Sequence, residues 1–223
     1  YNADKGTTEA VNYNNEGLYR RNLLTSGINI RYNGPHISFN SQTSYQYIQD
    51  KMGIDQDFSP RNIFYGQNKI RQHMYCQEFT VKSVNKSRYH WITGAFVFRQ
   101  TINRKVDLSR FTDTTRHLTN SGIPTQGIAF YHQSTLDLLQ GLSCSVGLRY
   151  DYEHARCDFS KVQQPLNGNG ETKSLEQFNR SLHFGQFTPR FSMQYLSSHN
   201  QLFYASVSKG YKAGGFNVSF LNN

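Results

Sequence analysis

The sequence predicts an all-β fold, an antiparallel transmembrane β-barrel wall of about eight strands. Three observations support this fold class. Side chains alternate between apolar and polar over eight successive segments, and the connections between segments alternate between short and long. Aromatic residues reach 14% although the mean hydropathy is −0.69. A wall with lipid on one face and water on the other needs this combination, because successive strand residues point to opposite faces.

The eight segments with a two-residue period are candidate strands. Most exceed the roughly five or six residues of a globular strand, and they cover the roughly 9–11 residues that a tilted membrane strand needs. They lie at 18–32, 36–48, 71–84, 88–101, 125–138, 142–156, 184–196 and 201–212.

The connections predict that all long loops lie at one end of the sheet. The predicted short turns are 33–35, 85–87, 140–141 and 197–200, and the predicted long connections are 50–69, 103–124 and 157–181. Outer-membrane barrels place short turns on the periplasmic side and longer loops outside the cell. A soluble β-sandwich, which composition alone allows, has no reason to follow this rule.

The phase of the alternation assigns side chains to the two faces. In segment 142–156 one face carries Leu142, Cys144, Val146, Leu148, Tyr150 and Tyr152, and the other carries Ser143, Ser145, Gly147, Arg149, Asp151 and Glu153. An Arg on the lipid face costs about 2–4 kcal/mol at the midplane. We therefore expect Arg31, Arg149 and Arg190 to face a wet lumen. Alternation is less regular at 71–84 and 88–101, and the phase of these segments stays open.

Other general features narrow the class. No run of apolar residues approaches the roughly 20 that a membrane helix needs, which excludes a helical membrane protein. The scattered Cys76, Cys144 and Cys157 show no metal-site or disulfide spacing and are interpreted as structural. Polar stretches at both ends predict that residues 1–223 are a single segment of a larger barrel domain.

Several stretches carry a family resemblance. Residues 125–152 read TQGIAFYHQSTLDLLQGLSCSVGLRYDY, and FTPR at 187–190 is followed by FYASVSKGYKAGGFN at 203–217. QEF at 77–79 precedes WITGAF at 91–96, and DQDFSP at 55–60 precedes both. In this order and spacing, the stretches resemble the barrels of TonB-dependent outer-membrane receptors, most closely those for siderophores.

The resemblance implies a plugged barrel of roughly 22 strands in the outer membrane of a Gram-negative bacterium. It implies active import of a scarce nutrient, above all a ferric siderophore, with energy from the TonB complex acting through an N-terminal region. We expect the plug domain and the C-terminal barrel strands to be missing from residues 1–223. The alternatives are a passive porin-like barrel, a haem receptor and a soluble β-rich binding module.

The formal charge of +9 suggests what the lumen would bind. A basic lumen attracts anionic ligands such as ferric chelates, although its cations could instead pair with acidic plug residues. Outer-membrane lipid and the phosphates of lipopolysaccharide are further expected partners. The candidate ligand-binding residues, chosen from the long loops and the upper lumen, are Arg61, Tyr65, Arg110, Arg149, Arg190 and Lys212.

Other chemistry finds little support. The basic residues are spread singly, which argues against nucleic acid as a partner. Ser134 and His132 share a face while Asp137 points to the other, so we expect no enzyme and no catalytic residue. No cofactor and no metal site is predicted. The histidines expected near the extracellular end lack ligand spacing for haem iron; they are His73, His117, His154 and His183.

Overall fold

The computed structural model describes residues 14–218, which form one antiparallel sheet of eight strands. The strands are β1 (Leu18–Asn33), β2 (Ile37–Asp55), β3 (Phe64–Ser83), β4 (Tyr89–Arg110), β5 (Thr115–Leu139), β6 (Leu142–Pro165), β7 (Lys173–Leu196) and β8 (Leu202–Ser208). Each strand pairs with its neighbours along the chain, so the spatial order is the sequence order. The predicted all-β, antiparallel fold is confirmed.

The cross-strand register joins the apolar sides of the strands into one continuous surface. Ser41 lies opposite both Ile30 and Phe79, and this row continues through Ala95 and Phe130 on β4 and β5. It then reaches Tyr150 on β6 and Phe187 on β7. We call this surface the outward face, because its large apolar side chains are exposed and would contact lipid. The opposite surface is the inward face.

The register also settles the phase of β3 and β4. Tyr75, Phe79 and Val97 lie on the outward face and are exposed. Phe96 and Phe98 lie on the inward face, where their ring centroids are 5.9 Å apart. These two strands therefore carry apolar side chains on both faces, which explains their irregular alternation in the sequence.

Seven of the described strands are longer than the sequence pattern predicted, whereas β8 is shorter and ends at Ser208 rather than at residue 212. The connections at the loop end of the sheet are 56–63, 111–114 and 166–172, and most of the predicted long loops 50–69, 103–124 and 157–181 are strand. The 111–114 connection is shorter than the 84–88 turn at the other end, so the strict alternation of loop lengths is wrong. Apolar alternation ends where the lipid would end, whereas the hydrogen-bonded ladder continues between polar residues.

The described residues have little core, as expected for a single layer. The buried apolar side chains are Ala129, Ala155, Cys157 and Phe159. No second sheet covers either face within residues 14–218, which argues against a β-sandwich. Within the same residues, β1 and β8 each pair on one side only, so the sheet is open. No helix of residues 14–218 is long and apolar enough to cross a membrane.

Candidate ligand-facing site on the inward face

A polar cluster occupies the inward face at the level of the outward apolar band. The ladder aligns Gly94, Tyr131, Arg149 and Thr188 on β4 to β7, directly opposite one another. A Cβ on Gly94 would lie 2.4 Å from the Tyr131 hydroxyl oxygen, so only glycine admits this ring position. Because Gly94 has no side chain, the Tyr131 ring can lie across β4 and reach β3.

Tyr131, on β5, contacts β3 through its hydroxyl group and β6 through its ring. The hydroxyl donates to Glu78 Oε1 at 2.9 Å and lies 2.9 Å from Thr80 Oγ1. The Arg149 guanidinium lies 5.9 Å from the centre of the Tyr131 ring, within cation–π range. The ring is thus held between an acid on β3 and a cation on β6.

Arg149 is already engaged by an acid of its own strand. Its Nε donates to both carboxylate oxygens of Asp151, at 3.0 and 2.8 Å, and its Nη2 donates to Oδ1 at 2.7 Å. The pair lies two residues apart on one strand, where side chains share a face. Arg149 therefore brings little uncompensated charge to the cluster.

Arg190 and Lys209 supply the uncompensated charge beside this cluster. Together with Glu78, Tyr131 and Arg149 they line an inward groove of about 350 Å³. Neither side chain forms an ion pair with a carboxylate of residues 14–218. The Lys209 amide donates to Pro189 O at 3.0 Å, which fixes the chain end of β8 against β7. The groove can therefore attract an anionic group.

The six predicted site residues do not form one site. Arg149 and Arg190 meet in the groove, whereas Arg110 lies roughly 50 Å away along β4 at about 3.3 Å per residue. Arg61 belongs to the 56–63 loop beside Arg110, at the same end of the sheet. Lys212 is exposed in the segment that follows β8. One small ligand cannot contact Arg149 and Arg190 and also reach Arg61 and Arg110.

Tyr65 lies on the face of the sheet opposite to that of Arg149 and Arg190. It lies opposite Asp55 and Ser109 at the start of β3, on the outward face, so it does not line the lumen. A Cβ on Gly53 would lie 2.5 Å from the Tyr65 hydroxyl oxygen, so the ring rests over that glycine. The sequence placed Tyr65 in a long loop, where phase carries no information, whereas the structure places it in a strand.

The 56–63 loop is organised by one carboxylate. Asp57 accepts hydrogen bonds from the Ser59 hydroxyl at 2.6 Å and from the backbone amides of Ser59, Ile63 and Phe64. The Ser59 hydroxyl and these amides hold the pKa of Asp57 below its ordinary value. Arg61 is exposed within this ordered loop.

Arg110 contacts two side chains close to this loop. It forms an ion pair with Asp113 at 3.6 Å and lies 5.5 Å from the centre of the Phe64 ring. The hydrogen bond from the Thr115 hydroxyl has the largest effect on the pKa of Asp113 and lowers it, and the Arg110 charge lowers it further. Arg110 is thus partly neutralised before any ligand arrives.

The structure separates the groups of the rejected catalytic arrangement, as strand phase predicted. His132 Nε2 lies 3.0 Å from Ser134 Oγ on the outward face. Asp137 lies on the inward face, 3.6 Å from His90 Nε2. Asp137 therefore cannot act as the third group for this serine and histidine.

The four histidines expected near the extracellular end do not all lie together. His73, His154 and His183 lie on the outward face, and His117 lies on the inward face. His154 and His183 stack with ring centroids 4.4 Å apart. Residues 14–218 hold no group of three or more potential metal ligands.

Lys209 and Glu78 were not among the predicted site residues. Lys209 follows β8, and its place beside Arg190 depends on the register of the last hairpin. Glu78 belongs to β3, whose phase the sequence left open. The QEF stretch was the one signal near Glu78, and it pointed to the fold rather than to the groove.

The chain matches one family model and is similar to two solved outer-membrane proteins. A family model described as "TonB dependent receptor-like, beta-barrel" matches residues 1–223. The ferric yersiniabactin uptake receptor FyuA from Yersinia pestis is similar, with a TM-score of 0.76 and 14% identity over 90% of this chain. The ferric citrate transporter FecA in its unliganded form has a TM-score of 0.61 and 12% identity over 86% of this chain. The chain spans 30% of the FyuA chain and 27% of the FecA chain.

Proposed function

This chain belongs to the TonB-dependent receptor-like β-barrel family, and we propose that it forms part of an outer-membrane receptor that imports an anionic iron chelate. The observation that carries the proposal is the pair of uncompensated cations, Arg190 and Lys209, in the inward groove. The similar solved structures support the iron-chelate class, since one is a ferric yersiniabactin uptake receptor and the other a ferric citrate transporter.

The proposed receptor is larger than this chain. The chain spans less than a third of FyuA and of FecA, so the longer protein would supply the remaining barrel strands, the plug domain and the N-terminal region that contacts the TonB complex. The sheet described here would be one arc of that barrel. Its exposed apolar face would contact the lipid of a Gram-negative outer membrane.

The inward groove has a specific role in this proposal. Arg190 and Lys209 would attract the anionic ligand once it has passed the loops. The Glu78–Tyr131–Arg149–Asp151 cluster would keep the rest of the groove fixed, because each member has a partner. Arg61 and Arg110, at the opposite end of the strands, would act earlier, during capture at the extracellular surface.

Binding by the intact receptor tests this role. We would compare wild type with the double variant Arg190→Gln and Lys209→Gln, using ferric citrate as an anionic probe and a neutral ferric trihydroxamate as the second probe. Each lost charge-assisted contact is worth about 1.5 kcal/mol, so ferric citrate should bind at least tenfold more weakly. The neutral complex should be unaffected.

The matched control removes the same charge elsewhere on the inward face. Lys82 and Lys161 lie on that face but do not line the groove. The double variant Lys82→Gln and Lys161→Gln should bind ferric citrate like wild type. Unchanged ferric citrate affinity in the groove variant would contradict the proposed role of Arg190 and Lys209.

A further inference from the structure

His117 lies on the inward face near the loop end of the sheet, and the proposed function gives it no role. The register places it opposite Leu108 on β4 and Gln163 on β6. Its side chain is half-buried. Ile128, an exposed apolar residue of the outward face, is roughly 36 Å away along β5 at about 3.3 Å per residue. His117 therefore lies beyond the part of the sheet that would contact lipid.

Two nitrogen atoms at this end of the inward face have no partner. His117 Nε2 and Arg110 Nε are both buried, and neither has a hydrogen-bond partner in the described part of the chain. Arg110 pairs with Thr115, two residues before His117, so Arg110 and His117 are diagonal neighbours on adjacent strands. The backbones of such neighbours are roughly 7–8 Å apart, which long side chains can bridge. One bound oxyanion could therefore reach both nitrogens.

The chemistry of the two nitrogens favours an anionic acceptor. An arginine Nε always donates, and leaving a buried donor without an acceptor is unfavourable. A carboxylate oxygen is a better acceptor for it than a neutral oxygen, because charge-assisted hydrogen bonds are stronger. His117 supplies a second donor once its ring is protonated, since both imidazole nitrogens then carry hydrogen.

Arg110 is positioned by contacts that do not use its Nε. Its Nη1 forms the ion pair with Asp113 at 3.6 Å, and its guanidinium lies 5.5 Å from the centre of the Phe64 ring. The Asp113 carboxylate also accepts a hydrogen bond from the Thr115 hydroxyl at 2.6 Å. These contacts orient the guanidinium and compensate part of the Asp113 charge, which would otherwise repel an anion.

The charged groups nearest His117 come from three elements. Arg110 lies on β4, and Asp113 belongs to the 111–114 turn. Lys161 lies on β6, opposite Thr119, and is diagonal to His117 on the other side. Burial, followed by the charges of Lys161 and Arg110, holds the pKa of His117 below its ordinary value, although Asp113 raises it. The His117 ring of the empty site is therefore neutral at neutral pH.

The next strand adds one charge of each sign. On β7, Lys173 lies opposite Gln163, and Glu176 lies opposite Lys161. Both are one strand farther from His117 than Lys161 is. An anion bound beside the His117 ring would therefore be the main change in its electrostatic surroundings.

We propose that Arg110 and His117 form a proton-coupled capture site for a carboxylate group of the anionic iron chelate. The carboxylate accepts a hydrogen bond from Arg110 Nε. Its negative charge favours transfer of a proton from the solvent to the His117 ring, whose Nε2–H then donates to the ligand. Lys161 does not contact the ligand and acts only through its charge on His117. The inference rests on the proposed function and adds a regulation of it, since capture becomes tighter as the medium becomes more acidic.

The affinity of the intact receptor for ferric citrate between pH 5 and pH 8 tests this coupling in wild type and in His117→Gln. Comparing the two proteins at each pH cancels the titration of the ligand itself. A charge-assisted hydrogen bond is worth about tenfold in affinity, so wild type should bind roughly tenfold more tightly than His117→Gln at about pH 5. The ratio should fall to about one at pH 8, because the contribution of the added proton is lost as the pH rises through the pKa of the occupied site.

His90→Gln is the matched control. His90 lies on the inward face at the other end of β4, 3.6 Å from Asp137, and its removal should leave the pH profile unchanged. The neutral ferric trihydroxamate should bind wild type and His117→Gln equally at every pH.

Calorimetry in two buffers of different ionisation enthalpy measures the proton uptake directly. Near pH 6, wild type should take up more protons than His117→Gln when ferric citrate binds. If His117→Gln does not migrate as a folded barrel on an unheated gel, Arg110→Lys takes its place. This variant keeps the charge but loses the Nε donor, so it should bind ferric citrate more weakly and take up fewer protons than wild type.

Identical pH profiles or equal proton uptake in wild type and His117→Gln would overturn the inference. The proposed function would still stand if Arg190→Gln with Lys209→Gln weakened binding of ferric citrate. Conversely, a His117-dependent pH profile without any effect of the groove variant would support the capture site and overturn the role of the groove. Absence of ferric citrate binding at every pH would overturn both.

Discussion

An arginine introduced at one or the other of two adjacent residues of β7 should show which face of the sheet contacts lipid. The free energy of folding should differ between the two variants. Phe191 lies on the outward face opposite Val146 and Val207, all three among the exposed apolar side chains. Ser192 lies on the inward face, opposite Ser145 and Ser206. These small neighbours leave room for a long side chain.

Phe191→Arg places a charge in the apolar band, whereas Ser192→Arg places it in the lumen. The first change should destabilise the folded barrel by about 2–4 kcal/mol, which is about 30- to 700-fold in the folding equilibrium. The second exchanges one solvated polar residue for another, and surface changes of this kind stay within about 0.5 kcal/mol. The two variants add the same charge at neighbouring positions of one strand.

The assay is the urea-dependent folding of the intact receptor into lipid vesicles. The folded fraction is read from the mobility of unheated samples on a gel, and the midpoints give the change in free energy. Equal midpoints for the two variants would refute the assignment of lipid and lumen faces. A larger loss in Ser192→Arg than in Phe191→Arg would reverse it.

Two further predictions concern a glycine and a carboxylate. Gly94→Val should destabilise the folded receptor by about 1–3 kcal/mol in the same urea titration, because a Cβ meets the Tyr131 ring at 2.4 Å. Gly147→Ala, whose nearest neighbours are 3.7 Å away, is the control and should have little effect. Asp57 has a lowered pKa when folded, so its contribution to the 56–63 loop is complete above its ordinary pKa and is lost as the pH falls through the lowered one. Hydrogen exchange at the Phe64 amide should accelerate, relative to its intrinsic rate, below roughly pH 4. A pH-independent protection factor would contradict this.

The two-residue period predicted more of the fold than of the site. Arg149 and Arg190 could be assigned to the inward face from the sequence, because a strand offers only two directions and lipid excludes one of them for a charge. Period alone could not assign β3 and β4, where Phe96 and Phe98 place large apolar groups inward. Tyr65 was misplaced for a related reason, since its segment carries no apolar alternation.

Features that depend on pairing between strands could not be predicted from one strand at a time. Lys51, Lys69 and Lys105 lie side by side only because the register aligns them, although they are far apart in the sequence. Lys209 lines the same groove as Arg190 because the β7–β8 hairpin pairs Arg190 with Ser208, the residue before Lys209. The sequence places Asp151 on the same face as Arg149, two residues away. Only the structure shows that the two side chains form a salt bridge.

Energy-dependent import is the most direct test of the receptor proposal. Cells that lack other iron receptors and carry the intact gene would be given radiolabelled ferric citrate, with and without a functional TonB complex. We predict accumulation of label in cells with TonB, and only surface-bound label in cells without it. Equal accumulation in both strains would contradict the proposal and indicate a passive barrel.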